Sequence, residues 1–327
     1  MSRRSPQGSG AGPKPRVLLV DDHRDLLDGV SAMLAADFEI AGVATDGRQG
    51  LETAHAAAPD LIVLDINMPR MDGFEAMRAL SARGSQVPVV FLSMLDDEDT
   101  VAEAFRIGGR GYVLKSRLSS DLATALEQVR HGRLFAPSLA AMFRLAGGPG
   151  AAHAMQIYGR QSSFLDGLAA FFDAALRRGD ATCAIADAGI RHGLETRLRD
   201  RGWNAGGVLG HQRYISVDAA DALRRCMRGG RPDAAVLATI AAELEQYRAA
   251  VTDGGHGRLA IFGTMVLPLC AAGHVDAAME IERLWSSITH DLPFFTLCGY
   301  DDACFHDGAD GLFARACAEH WAVSQTQ

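Results

Sequence analysis

Residues 61–73 read Leu61-Ile62-Val63-Leu64-Asp65-Ile66-Asn67-Met68-Pro69-Arg70-Met71-Asp72-Gly73. Four consecutive aliphatic residues without polar alternation describe a strand covered on both faces, as in a parallel sheet between two layers of helices. The strand ends in a carboxylate and runs into turn chemistry, Pro69 and then Asp72-Gly73. Ligands of doubly wound sheets bind beyond the carboxyl ends of the strands, so Asp65 is expected at the reactive rim.

The flanking sequence repeats the pattern. Further strands are expected at Arg16–Val20, Phe38–Val43, Val87–Ser93 and Gly111–Lys115, with Asp60–Asp65 as the third of five. Amphipathic helices lie between them: Leu26, Leu27, Val30, Met33 and Leu34 share one face of the first, and Leu122, Ala125, Leu126 and Val129 one face of the last. Such alternation implies parallel strands joined by right-handed crossovers.

The strand ends carry a constellation. Asp21 and Asp22 follow the first strand, Asp65 closes the third, Ser93 the fourth and Lys115 the fifth. The chain has two lysines, Lys14 and Lys115, and Lys14 is expected in an N-terminal tail. Clustered carboxylates repel one another unless a cation joins them, and oxygen ligands of this kind suit Mg²⁺. Asp65 can act as a carboxylate nucleophile and form an acyl phosphate, with Lys115 and Ser93 holding the phosphoryl oxygens. Helix capping by Asp21 or Asp22 and a turn at Asp65 would explain either position alone, but not all five groups together.

Val-Leu-Leu-Val-Asp-Asp ending at Asp22, the stretch from Leu61 to Gly73, Val-Val-Phe-Leu-Ser-Met ending at Met94 and Gly-Tyr-Val-Leu-Lys-Ser ending at Ser116 resemble the receiver domains of bacterial response regulators. The resemblance implies a flavodoxin-like (βα)5 fold with a 2-1-3-4-5 parallel sheet. It implies Asp65 as phosphoacceptor, with Mg²⁺ held directly by Asp22 and Asp65, mainly through water by Asp21, and by the main-chain carbonyl of Asn67. Ser93 corresponds to the switch hydroxyl, and Tyr112 to the rotating aromatic three residues before the lysine. Two positions depart from the pattern. Ser116 replaces a frequent proline, as in the subfamily that usually carries a LuxR-type helix-turn-helix, and Met94 replaces a small residue beside the acceptor.

The chain of 327 residues is long enough for about two domains. Residues 1–14 read as a tail, 15–135 as the receiver, 136–152 as a linker and 153–327 as a second domain. In the linker, Pro137 can start a short helix through Leu145, ended by Gly147-Gly148-Pro149-Gly150. In the second domain, strands are expected at Ala154–Tyr158, Ala181–Ala186, Tyr214–Val217, Leu259–Gly263 and Phe294–Gly299. Helices are expected at Ser162–Arg178, Ile190–Arg201, Asp233–Ala250, Val275–His290 and Leu312–Trp321.

Several activities are excluded or disfavoured there. Without a lysine, the second domain has no Walker A phosphate loop, and Gly206-Gly207 and Gly254-Gly255 read as turns. A net charge of −8 and the lack of a basic recognition helix argue against nucleic-acid binding. Arg191, Arg197, Arg199 and Arg201, like Arg224, Arg225, Arg228 and Arg231, read as solvated helix faces. Cys298, Cys304, His306, Cys317 and His320 are metal-ligand types, yet their spacing fits no paired-ligand motif, so Cys298 reads as a packed strand residue.

His153-Ala-Met-Gln-Ile-Tyr158, Phe164-Leu165, Ile185-Ala186, Val217-Asp218-Ala219, Phe262-Gly263-Thr264-Met265-Val266, Leu284-Trp285 and Leu297-Cys298-Gly299-Tyr300 resemble the DcmR-type MEDS sensory domains. The resemblance spans nearly the whole second domain. It implies a RecA/KaiC-like α/β fold without ATPase machinery and a role in sensing small organic molecules. Thr264 stands where relatives often have glutamate. His153 and Tyr158 correspond to the family's opening motif or to local packing.

The expectation is therefore a cytoplasmic, non-enzymatic response regulator of a two-component phosphorelay, fed by a histidine kinase or phosphotransfer protein and carrying a sensory or interaction domain. No nucleic acid, membrane insertion or cofactor beyond Mg²⁺ is expected. A small organic ligand at the second domain and a homodimer formed on phosphorylation are compatible with this class. The rivals are a phosphorylation-controlled transcription regulator and a degenerate enzyme. All six cysteines follow residue 180, and without an apolar secretion signal in Met1–Pro15 they are expected as free thiols.

Overall fold

The structure, a computed structural model, describes residues 13–145, 152–203, 213–305 and 312–326. It divides into two compact units at Gly132/Arg133.

The first unit alternates strands and helices: β1 (Arg16–Val20), α1 (Arg24–Leu34), β2 (Glu39–Ala44), α2 (Gly47–Ala57), β3 (Leu61–Asp65), α3 (Gly73–Ala82), β4 (Val89–Ser93), α4 (Glu98–Arg106), β5 (Gly111–Leu114) and α5 (Leu118–Arg130). The strands pair in parallel in the order β2-β1-β3-β4-β5. Every residue of β3 and β4 is buried, as their unbroken apolar runs require. The chain reverses its direction of winding between β1 and β3, which opens a crevice at their carboxyl ends. Val20 pairs with Leu64, Asp65 with Leu92 and Ser93 with Leu114. Asp21, Asp65, Ser93 and Lys115 are thereby brought to one rim. Lys14, expected in the tail, donates to the Ala35 carbonyl at 2.7 Å.

The turn after β3 is tightly specified. Asp72 caps α3 by accepting from the Glu75 amide while Glu75 accepts from the Asp72 amide, a reciprocal capping box. Gly73 donates to the Ile66 carbonyl. A Cβ at Gly73 would lie 2.3 Å from the Asp65 carbonyl oxygen and 2.9 Å from Ile66 Cα.

The second unit contains β6 (Leu134–Phe135), α6 (Leu139–Leu145), β7 (Ala152–Tyr158), α7 (Gln161–Arg177), β8 (Ala181–Ala186), α8 (Ala188–Asp200), β9 (Tyr214–Asp218) and α9 (Ala219–Cys226). It continues through a short hairpin, β10 (Met227–Arg228) and β11 (Arg231–Pro232), to α10 (Ala234–Val251), β12 (Leu259–Gly263), α11 (Leu267–Ala271), α12 (Val275–Thr289), β13 (Phe294–Asp301), α13 (Leu312–Ala318) and β14 (Ala322–Thr326). Its parallel sheet has the order β6-β14-β7-β13-β12-β8-β9, a second α/β domain. Phe143 of α6 packs edge-on against Phe171 and Phe295, so the helix started near Pro137 contributes to this core.

Several elements differ from the sequence expectation. The helix expected to run from Leu312 to Trp321 ends at Ala318, and residues 322–326 form β14. Leu134-Phe135, expected to close the receiver, pairs with β14, because two apolar residues find their ladder on that edge. Helices α9 and α11 stand where no helix was expected. Gly147–Gly150 and Gly206-Gly207 lie outside the described residues.

Gly73→Ala should destabilise the receiver by about 1–3 kcal/mol, the usual cost of overpacking. Gly29→Ala, in the interior of α1 with no atom near its added Cβ, should stabilise it by about 1 kcal/mol through helix propensity. Urea melts of the full chain monitored on the receiver transition check both signs; equal melts for Gly73→Ala and wild type would refute the tight-turn reading.

Candidate functional site

The rim of the first unit assembles the groups singled out in the sequence. Lys115 follows β5 and opens a short 3-10 turn, Lys115–Arg117. Its Nζ lies 2.7 Å from Asp21 Oδ2 and 2.9 Å from Asp65 Oδ2. Asp21 and Asp65 are both buried, each 1% exposed, whereas Asp22 is half-buried. Burial pushes the Asp65 carboxyl above its ordinary range, and the Asp21 charge adds to this; the Lys115 hydrogen bond offsets it only in part. Burial alone would lower the Lys115 ammonium, but the two carboxylates outweigh it and hold the group above its usual range. Two carboxylates share one ammonium, so the pocket is anionic before Asp22 is counted.

The helix-capping alternative fails for Asp21 and Asp22. The residue preceding α1 is His23, with no side-chain cap. Asp21 Oδ1 instead accepts from the His23 amide at 2.9 Å. His23 Nδ1 lies 3.1 Å from Asp21 and 2.9 Å from Asp22, and potential ligand atoms of Asp21, Asp22, His23 and Asp65 fall within 4.8 Å of one another. The sequence reading passed over His23, although its adjacency to the acidic pair was a usable signal. Asn67 is exposed, and its amide donates to Asp65 Oδ1 at 3.3 Å.

Ser93 and Tyr112 are fully buried and converge on one residue. Ser93 Oγ accepts from the Leu95 amide at 3.0 Å, and the Tyr112 hydroxyl donates to the Leu95 carbonyl at 2.6 Å. Met94, by contrast, points outward, 71% exposed, and does not fill the pocket.

In the second unit, a cavity of about 60 Å³ is lined by Ile185, Leu237, Ile240, Trp285, Glu282 and Cys298, among others. Thr264 is buried beside it, its amide donating to the Ile185 carbonyl, while Gly263, Met265 and Val266 line the cavity itself. Tyr158 stacks on Phe164 with ring centroids 4.1 Å apart, a packing role. His153 is buried against Glu282 and Cys298. His306 lies outside the described residues. All six cysteines are free thiols.

Residues 17–127 match the response regulator receiver domain family, and residues 152–316 the MEDS (methanogen/methylotroph, DcmR sensory) domain family. The nitrate/nitrite response regulator NarL of Escherichia coli K12 is 38% identical over 135 residues, covering 39% of this chain and 62% of that protein. The transcriptional regulatory protein MctR of Rhizobium johnstonii is 36% identical over 122 residues, 37% of this chain and 57% of that protein. The chain thus spans less than two thirds of the length of these curated relatives. Among solved structures, the signal receiver domain of the response regulator NarL from Mycobacterium tuberculosis is 31% identical, covering 37% of this chain and 100% of that one, with a TM-score of 0.36. No helix among the described residues is long and apolar enough to cross a membrane. The chain belongs to the MEDS family, its MEDS domain following, in the same polypeptide, a response regulator receiver domain of a two-component system.

Proposed function

We propose that Asp65 accepts a phosphoryl group from a histidine kinase or phosphotransfer protein and that the signal is combined with small-molecule sensing in the MEDS domain. The observation that carries this reading is the Lys115 ammonium held between Asp21 and Asp65 at the carboxyl ends of parallel strands. A carboxylate oxygen of Asp65 attacks phosphorus, the bond from phosphorus to the donor imidazole nitrogen breaks, and that nitrogen takes a proton. Lys115 and the Ser93 hydroxyl then neutralise and hold the phosphoryl oxygens.

The donor set fits Mg²⁺. Three carboxylates against one ammonium leave a formal charge of −2, which a divalent oxygen-seeking ion balances. Asp22, Asp65 and the Asn67 carbonyl would hold it directly and Asp21 mainly through water. When bound, the ion supplies positive charge to the phosphoryl oxygens.

Ser93 and Tyr112 serve as the switch in this reading. If Ser93 Oγ turns to a phosphoryl oxygen, the Leu95 amide loses its acceptor. The loop that Tyr112 also holds through the Leu95 carbonyl is then released, carrying exposed Met94 and Leu95 with it. Such coupling is worth about 1–3 kcal/mol in typical allosteric systems.

For the output we favour sensing over DNA binding. Arg191, Arg197, Arg225 and Arg228, from the most basic stretches, pair with Asp218, Asp166, Glu243 and Asp233, and Arg224 pairs with Asp221. Their charge is already answered within the fold, which leaves little for phosphate contacts. The apolar cavity supports a small organic ligand. A cytoplasmic location accords with phosphoryl transfer and free thiols.

Incubation with acetyl phosphate and Mg²⁺ should label Asp65, with acetate as leaving group, and Asp65→Asn should abolish the label. Equal stoichiometry in the mutant would move the acceptor elsewhere. Ser93→Ala should still accept phosphate but lose the phosphorylation-dependent change in hydrogen exchange across residues 93–97; an unchanged response would exclude the Leu95 route. Small apolar alcohols or haloalkanes should raise the melting temperature of the full chain, since a ligand of the native state stabilises it. Ala222→Phe, which fills the cavity wall, should remove that shift, and persistence of the shift would place the ligand elsewhere.

A further inference from the structure

Four side chains from separate parts of the second unit converge on one point. His153 stands on β7, Glu282 on α12, Cys298 on β13, and His320 in the turn between α13 and β14. All four are more than nine-tenths buried, and their ligand atoms lie within 4.8 Å of one another. His153 Nε2 is 3.1 Å from both Glu282 Oε2 and Cys298 Sγ; Cys298 Sγ is 3.3 Å and His320 Nε2 3.8 Å from the same carboxylate oxygen. Ligands bound tetrahedrally to zinc at its usual bond lengths are themselves about 3.3–3.8 Å apart.

The surroundings orient these groups as ligands. Tyr300 donates to Glu282 Oε1 at 2.5 Å, which leaves Oε2 for the cluster. His320 Nδ1 lies 2.5 Å from the Ala316 carbonyl. A carbonyl only accepts, so the proton is on Nδ1, and Nε2 of the neutral ring is a lone pair aimed at the carboxylate. That buried nitrogen has no hydrogen-bond partner. A histidine whose far nitrogen donates to a backbone carbonyl while the near one faces anionic donors has the arrangement of a metal-bound imidazole. The Trp321 amide donates to the His153 carbonyl at 2.8 Å and fixes the turn that carries His320. Charge agrees: one thiolate, one carboxylate and two neutral imidazoles balance a divalent cation, whereas a buried carboxylate without one is costly.

We propose that His153, Glu282, Cys298 and His320 bind a divalent cation of the zinc class. Sulfur and imidazole donors favour this class over magnesium or calcium. The assignment stands on this geometry and not on the sensory reading. It deepens that reading by setting the cation in the wall of the apolar cavity, which Glu282 and Cys298 both border. Chain spacing concealed the site, because two of its members, His153 and Glu282, lie outside the late run of cysteines and histidines.

The test uses full-length protein expressed in cobalt-supplemented medium and purified with excess Mg²⁺ to keep cobalt off the receiver. One equivalent of cobalt is expected, with a thiolate-to-cobalt charge-transfer band and the intense visible bands of a tetrahedral ion. Asp65→Asn should leave both unchanged. Cys298→Ser should abolish the charge-transfer band and weaken cobalt retention by more than the roughly 10–100-fold lost with an outer-shell partner. Wild-type protein without stoichiometric cobalt or without the band would overturn the proposal, as would a band that survives Cys298→Ser. If the variant does not fold, the wild-type and Asp65→Asn spectra decide alone. The cavity's thermal shift is a separate readout, so failure of the metal site leaves the sensory reading to stand or fall by its own test.

Discussion

Lys115 Nζ lies 2.7 Å from Asp21 and 2.9 Å from Asp65, and both carboxylates are almost wholly withdrawn from solvent. Burying one ionised carboxylate costs several kcal/mol unless it is paired, and the receiver buries two side by side. The sheet makes this tolerable only by bringing the end of β5 to the ends of β1 and β3. A one-residue register slip would put the ammonium on the wrong side of the pleat. The same shortage of positive charge makes the pocket attractive to a cation.

Both domains apply one rule of parallel sheets to different chemistry. In the receiver, the carboxyl ends of β1, β3, β4 and β5 gather hard oxygen donors and a single ammonium. In the MEDS domain, the ends of β8 and β12 contribute Ile185, Gly263 and Met265 to an apolar cavity, and Cys298 of β13 borders it. Ligands bind beyond the carboxyl ends of such strands. The residue types there differ: oxygen donors and an ammonium in the receiver, a mainly apolar lining in the MEDS domain.

The receiver was legible because its signals are local. Each rim residue ends or follows an apolar run, the alternation itself implies parallel strands, and the order of the strands is what the resemblance to receiver domains implies. The second domain was legible in five of its strands, two of them to the residue, Ala181–Ala186 and Leu259–Gly263. Its last strand was not. Ala322 and Val323 are the only apolar residues of β14, too few for a period, and the amphipathic run from Leu312 invites the helix onward. His320 was consequently assigned to a helix, and the contact with His153 and Glu282 was hidden. That contact depends on β14 pairing with β7, a non-local event that spacing along the chain does not encode.

The β14–β7 ladder also orders events in time. Ala322 pairs with Ala154 and Thr326 with Tyr158, so the strands that meet are separated by nearly the whole second unit. During synthesis, β7 emerges long before its partner, and one edge of a buried, apolar strand stays unpaired while translation continues. Exposed strand edges template aggregation, and closing so long a loop comes late in folding. A ribosome that stalls before residue 322 would release a nascent chain with an open edge, a natural substrate for chaperones.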